Sequence, residues 1–174
     1  MPHFMKRITY FVACLSLIGL TSCGTNQLDF VPYITTSSFY LNPIYSGDSI
    51  IAAQDTFQLK KVDDGYMLDT ISPMDTLVFM VGFGSYANNL TATRVTFDTT
   101  QLDISAKIPE EIRKILLPES DIRNLQLFIN SGYNFLALPM GYLPLKSGTH
   151  QFVFTVESDS EFSPRSVVIK QPVR

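Results

Sequence analysis

Tryptophan is absent from this sequence, cysteine and histidine occur only twice each, and no run of basic residues is longer than the pair Lys60-Lys61. Each shortage excludes something. Both cysteines, Cys14 and Cys23, lie near the start, so the remaining chain has no pair from which to build a disulfide framework. Two histidines, His3 and His150, are a thin supply for a zinc site or a nucleophile–base pair. A formal charge of −3 without a basic cluster excludes a phosphate-tracking face, so nucleic acid is not expected as a partner. Without indole rings, a sugar-stacking platform would have to be made of tyrosine and phenylalanine alone.

What is present begins with a basic start, Lys6 and Arg7, followed by an apolar-rich run from Ile8 to Leu20. A permanent helical anchor needs roughly 20 apolar residues, so this shorter run reads as a secretory signal. Its end, Leu20-Thr21-Ser22-Cys23, resembles the lipobox of bacterial lipoproteins. That resemblance implies cleavage before Cys23, diacylation of its sulfur and acylation, by palmitate or a similar chain, of its new amine. It also implies a membrane partner reached through the N-terminal lipid and a place in the bacterial cell envelope, at the outer membrane, with the periplasmic or surface face left open. Several acyl chains hold far more firmly than one, since each buried methylene contributes about 0.8 kcal/mol. Cleavage removes both Lys6 and Arg7 but none of the 16 acidic residues, so the formal charge moves to about −5.

The expected organisation is therefore a signal peptide over 1–22, a lipid-anchored tether over 23–33 and a single domain over 34–174. About 150 residues suffice for one core without disulfide staples. Polar–apolar alternation over 55–62, the turn formers Asp63-Asp64-Gly65 and a second run over 66–71 predict a hairpin. The near-continuous apolar run 75–83 predicts a central strand, and 90–98 alternates without showing which face packs inward. Pro109, Glu110, Glu111 and Pro118 bracket one helix over 109–118. Strand patterns resume over 125–129, 133–138, 150–157 and 165–173, making about eight short strands and an all-β class.

The stretch 143–173 resembles the last two strands of an immunoglobulin-like domain of the bacterial extracytoplasmic kind. Leu145 and Gly148 precede an alternating strand through Phe152, Phe154 and Val156, then comes a polar turn over 157–163 and a closing strand with Val167 and Ile169. The resemblance implies an immunoglobulin-like antiparallel β-sandwich with one short helical insertion, placed over 103–124. Alternation puts Phe152, Phe154 and Val156 on one face, the expected core face.

Chemistry has little to work with. The "GFGSY" stretch does not form the Gly-x-Ser-x-Gly elbow that would pair Ser85 with His150, and Ser85 reads as a hairpin residue. Paired carboxylates from Asp63, Asp64, Asp98, Asp103, Glu110 and Glu111 sit where turns and helix starts already favour acids. Glu157, Asp159 and Glu161 could offer oxygens to calcium, but they lack the glycine and ligand density of an EF-hand loop and read as a solvated turn. No cofactor and no enzymatic activity are expected.

Binding is better served. Tyr40, Tyr45, Tyr133 and Tyr142 fall in loop-like or strand-end segments, where an apolar ring with a polar tip suits a protein or glycan ligand. Half-buried plugs at the sandwich ends are the alternative use of the same rings. A recurring Asp-Ser/Thr pattern at Ser49, Thr70, Thr76 and Thr99 resembles the acceptor pattern of periplasmic O-glycosylation in some lipoprotein-rich bacteria, although Asp also marks turns and Thr favours strands. The functional expectation is a lipid-anchored envelope binding or accessory module. A purely structural envelope lipoprotein without a ligand pocket, and more remotely an envelope hydrolase, are the alternatives.

Overall fold

The computed structural model describes residues 31–174. The segments read as signal peptide, lipobox with Cys23 and most of the tether lie outside the described residues. Two six-stranded sheets face each other. The first has the order β10 (Leu102–Ala106), β12 (Phe135–Pro144), β8 (Leu77–Gly84), β2 (Phe39–Leu41) and β5 (Asp55–Phe57), with β1 (Tyr33–Thr36) also paired to β8. The second runs β11 (Gln126–Phe128), β9 (Leu90–Phe97), β13 (Gly148–Ser158), β14 (Arg165–Val173), β7 (Gly65–Met67) and β6 (Lys60–Val62). A separate two-stranded arm, β3 (Ile44–Ser46) and β4 (Ser49–Ala52), belongs to neither sheet.

Seven of these strands reproduce the immunoglobulin constant-type order. Taking β2, β8, β9, β10, β12, β13 and β14 as first to seventh, one sheet reads fourth-fifth-second-first and the other third-sixth-seventh. The protein is thus an all-β, immunoglobulin-like antiparallel sandwich with one short helical insertion. Among the described strands, parallel pairing occurs where β7 lies beside β14, and the bridge of Ile71 to Val173 continues it. Strand β7 gets there because the chain changes sheets between β5 and β6. That change corrects the hairpin expected over 55–71: its first arm breaks at Gln58-Leu59, and β6 and β7 make the hairpin in the second sheet alone.

The expected core face of β13 is the core. Phe152, Phe154 and Val156 are fully buried, and Phe79 on the central strand β8 stacks on Phe39 at 4.3 Å between centroids and meets Phe154 edge-on at 6.2 Å. Phe154 also meets Phe83 edge-on at 6.2 Å and Phe152 at 5.6 Å. Strand β9 resolves its own ambiguity through a bulge. Val95 pairs with Phe154 and Thr93 with Val156, which puts Thr93, Val95 and Phe97 on the inward side. The register then slips, so that Leu90 pairs with Ser158 and joins the same face.

Two further expectations change. The helix over 109–118 is a single turn, α1 (Glu110–Arg113), because Ile115 and Leu116 leave it to pack on the core. The insertion expected over 103–124 starts later, since Leu102–Ala106 is the fourth sandwich strand and its Leu102 and Ile104 are buried. The first strand among the described residues starts at Tyr33, the last position of the segment read as tether.

Candidate functional site

The outward side of the first sheet carries a broad concavity. Register sets one row across four strands: Ser105 on β10 pairs with Gly141 on β12, Gly141 with Val78 on β8, and Val78 with Tyr40 on β2. Because Gly141 has no side chain, this row dips in its middle. The β3–β4 arm arches over the dip, with Tyr45 and Ile50 paired across it and both facing the space below. The result is a cleft of about 680 Å³ with Val78, Met80 and Pro139 in its floor. A second cleft of about 340 Å³ lies on the other side of Tyr45 and shares Val78, Ser105 and Gly141.

The arm is held at both ends. At its base, Asn42 sits at φ +46°, its Nδ2 donates to Gln54 Oε1 at 2.7 Å and to Asp75 Oδ1 at 2.8 Å, and its Oδ1 accepts from Thr76 N at 2.9 Å. At its tip, Lys107 Nζ donates to Asp48 at 2.9 Å. That hydrogen bond, and then the lysine's charge, hold the Asp48 carboxyl below the ordinary carboxylate range. Both groups are exposed, so the pair positions the arm more than it stabilises the fold. It also leaves the cleft's cation and anion matched to each other.

Of the four tyrosines singled out in the sequence, Tyr40 and Tyr45 meet at this cleft. Tyr133 lies on the surface at one end of the sandwich, in the loop before β12. Tyr142 corrects the ligand-binding expectation: its ring is 1% exposed and packs on Phe152, at 5.7 Å, inside the core. Even length parity explains it, since Tyr142 shares a strand face with Leu136, Leu138 and Met140.

Tyr142 Oη lies 2.6 Å from Nδ1 of His150, which is equally buried. Burial pushes the Tyr142 hydroxyl well above its ordinary range. Burial also lowers His150, against smaller raising effects from the Lys146 backbone and Asp98. His150 faces Gln171 across β13 and β14, and His150 Nε2 and Gln171 Oε1 both lack a hydrogen-bond partner. This geometry makes a test. Unfolded histidine titrates near pH 6.5, whereas the folded ring resists protonation, so the unfolded chain gains the proton first as pH falls. Stability is therefore expected to be full above about pH 6.5 and to decline below it. Urea midpoints at neutral and mildly acidic pH check this, and His150→Gln should flatten the decline.

Ser85 and His150 do not meet. Ser85 follows Gly84, where β8 pairs with the start of β12, whereas His150 bonds to Tyr142 near the other end of that strand. The residues 157–161 do not converge either. Glu157 lies 3.9 Å from Arg94, and Asp159 accepts from Asn89 N at 2.8 Å and Nδ2 at 3.0 Å. Among the described residues no three His, Cys, Asp or Glu side chains are grouped as a metal site.

At the Asp-Ser/Thr positions, Ser49, Thr70 and Thr99 are exposed and Thr76 is half-buried. Every aspartate of the pattern has a structural partner: Asp48 holds Lys107, Asp69 pairs with Lys60, Asp75 accepts from Asn42 and from Ser72 N, and Asp98 accepts from Thr100 N and Oγ1. What the sequence did not disclose is the arm itself. Ile44 and Ile51 are exposed in it, so the alternation that marks a packed strand is missing. The pair Ser46-Gly47 before Asp48, with Gly47 at φ +59°, was the available turn signal.

No family model matches the chain, and no curated protein matches it. Among solved structures, it is similar to part of a family 123 glycoside hydrolase from Clostridium perfringens, an enzyme studied for glycolipid glycan hydrolysis. That match has 11% identity and a TM-score of 0.37, over 83% of this chain and 27% of the hydrolase chain. It is also similar to the ASH/PapD-like domain 7 of human CEP192, with 8% identity and a TM-score of 0.36, over 75% of this chain and 98% of that one. The chain spans about a quarter of the hydrolase's length. At these scores neither likeness carries an argument about what this chain does.

Proposed function

We propose that this chain is a lipid-anchored binding module of the bacterial cell envelope, held at the outer membrane through Cys23, with the cleft under the β3–β4 arm as its ligand seat. The observation that carries the reading is the cleft of about 680 Å³ walled by Tyr40 and Tyr45. Ligand sites are concave, mostly apolar and supplied with a few polar groups, and this one adds Ser105 and the Asp48–Lys107 pair to an apolar floor. A segment of an envelope protein is the favoured ligand, because aromatic and apolar walls whose charges are already matched suit an uncharged, apolar stretch of chain. A purely structural role gains no comparable support, since it leaves the tyrosine-walled cleft without a purpose.

The test is mild crosslinking in native membranes followed by a pull-down of the acylated protein, with Cys23→Ala and Tyr45→Ala compared. A recurrent protein partner is expected with the wild type, and its yield should fall about tenfold in Tyr45→Ala, which matches the roughly 1.4 kcal/mol or more that an aromatic anchor contributes. Retention of that partner in Tyr45→Ala would move the contact away from the cleft. Recovery of glycan without protein would change the ligand class. A soluble wild type would remove the lipid anchor.

A further inference from the structure

The end of the sandwich at which the described chain begins also carries a cluster of exposed aromatic and apolar side chains. Tyr33 opens β1 and pairs with Gly84, the last residue of β8, which pairs in turn with Phe135, the first of β12. Leu90 N donates to Tyr133 O at 2.7 Å, and Leu90 pairs with Ser158 at the close of β13, so the loops 85–89, 130–134 and 159–164 gather at this same end. Val31, Tyr86, Tyr133, Phe135 and Phe162 all lie here, each between 43% and 62% exposed.

These side chains stand on a tied platform. Asn89 links the three loops: its N and Nδ2 donate to Asp159, its Oδ1 accepts from Gly132 N at 3.2 Å, and its carbonyl accepts from Asp159 N at 3.0 Å. Asn134 adds a second tie, donating from Nδ2 to Tyr86 O at 2.7 Å. The phenol end of the Tyr33 ring covers Gly84, where a Cβ would come within 2.2 Å of it, and the ring reaches Tyr86 at 4.7 Å between centroids. The loops that carry exposed rings are thus braced by their own hydrogen bonds.

We propose that this end docks on the membrane surface, with the exposed rings in the headgroup region of the bilayer. The proposal rests on the reading of Cys23 as the lipid anchor. Only eight residue steps separate Cys23 from Val31, at most about 28 Å of extended chain, so the lipid holds this end closer to the bilayer than the opposite end. Tyrosine and phenylalanine suit that interface because one part of the ring is apolar and the surroundings can be wet. A tether this short also makes the surface contact effectively intramolecular, so a few rings suffice. Asp159 and Glu161 outnumber the single cation, Arg165, in these loops and strand starts, so the headgroups are zwitterionic rather than anionic.

The absence of tryptophan supplies a clean reporter. Full-length acylated protein carrying Tyr86→Trp or Phe162→Trp would be reconstituted into phosphatidylcholine vesicles with brominated acyl chains. Met74→Trp serves as the control, in the loop before β8 at the opposite end and almost fully exposed. The expected result is quenching with a blue shift of emission for Tyr86→Trp and Phe162→Trp, neither for Met74→Trp, and less quenching when phosphatidylglycerol replaces part of the phosphatidylcholine. Vesicle-bound protein with no quenching at either end would overturn the docking while keeping the anchor. Protein that fails to associate with vesicles would overturn the anchor and the docking together. Stronger quenching in anionic vesicles would overturn the zwitterionic assignment.

Discussion

Phe154→Ala is expected to lower the unfolding free energy by about 3 to 5 kcal/mol, read as a drop in urea midpoint at unchanged slope. The residue is fully buried, and its ring touches Phe79 and Phe83 of the opposite sheet as well as Phe152 of its own strand. Truncation therefore removes apolar area, opens a cavity between the sheets and breaks three edge-on contacts that contribute beyond their area. A domain of this size has roughly 5 to 15 kcal/mol in total, so the variant should be marginal at 37 °C. Phe154→Leu keeps most of the volume and should recover more than half of the loss. A loss below about 1 kcal/mol would mean that the sheets close over the gap, and that the aromatic seam is not what joins them.

Gly65→Ala is expected to cost about 3 kcal/mol although it adds only one methyl group. Gly65 has φ +141°, a region that L side chains rarely adopt, and a Cβ there would meet the Val168 carbonyl oxygen at 2.5 Å. The obstacle is backbone, so no rotamer change relieves it. Relief requires β7 to move off β14, which would break the parallel pairing of Tyr66 and Met67 with Ile169 and Lys170. It would also strain the nearby ion pair of Lys170 with Asp64 at 2.5 Å. Gly47, at φ +59° with open space around it, is the internal control: alanine there carries only the cost of the left-handed conformation, about 1 kcal/mol. Equal losses at the two positions would show that conformation alone, and not the Val168 contact, sets the cost.

Legibility in the sequence followed burial. The runs 75–83, 150–157 and 165–173 were readable as strands because each has a face, or both, in the core, and burial writes apolar periodicity into a chain. Strands β3 and β4 were not readable, since Ile44, Tyr45 and Ile51 are all exposed and no alternation was required of them. The break at Gln58-Leu59 was equally silent. Polar–apolar alternation continues through it, and only the partners differ: β5 pairs with β2, and β6 with β7. The bulge in β9 hid its inward face for the opposite reason, because it places Leu90 and Val95, of opposite parity, on one side.

By itself the sequence determined the all-β class and the burial of Phe152, Phe154 and Val156, because local periodicity is sufficient for each. Tertiary structure alone decided which tyrosines share a site. Tyr40 and Tyr45 face one cleft because the separate β3–β4 arm folds back over the first sheet, and Tyr142 is withdrawn into the core by the parity of β12. It also brought Tyr33, Tyr86, Phe135 and Phe162 to one end of the sandwich from positions up to 129 residues apart. The physical reason is the same in both cases. Antiparallel pairing carries distant segments to a common edge, and that proximity is a property of register between strands, which no single stretch of sequence contains.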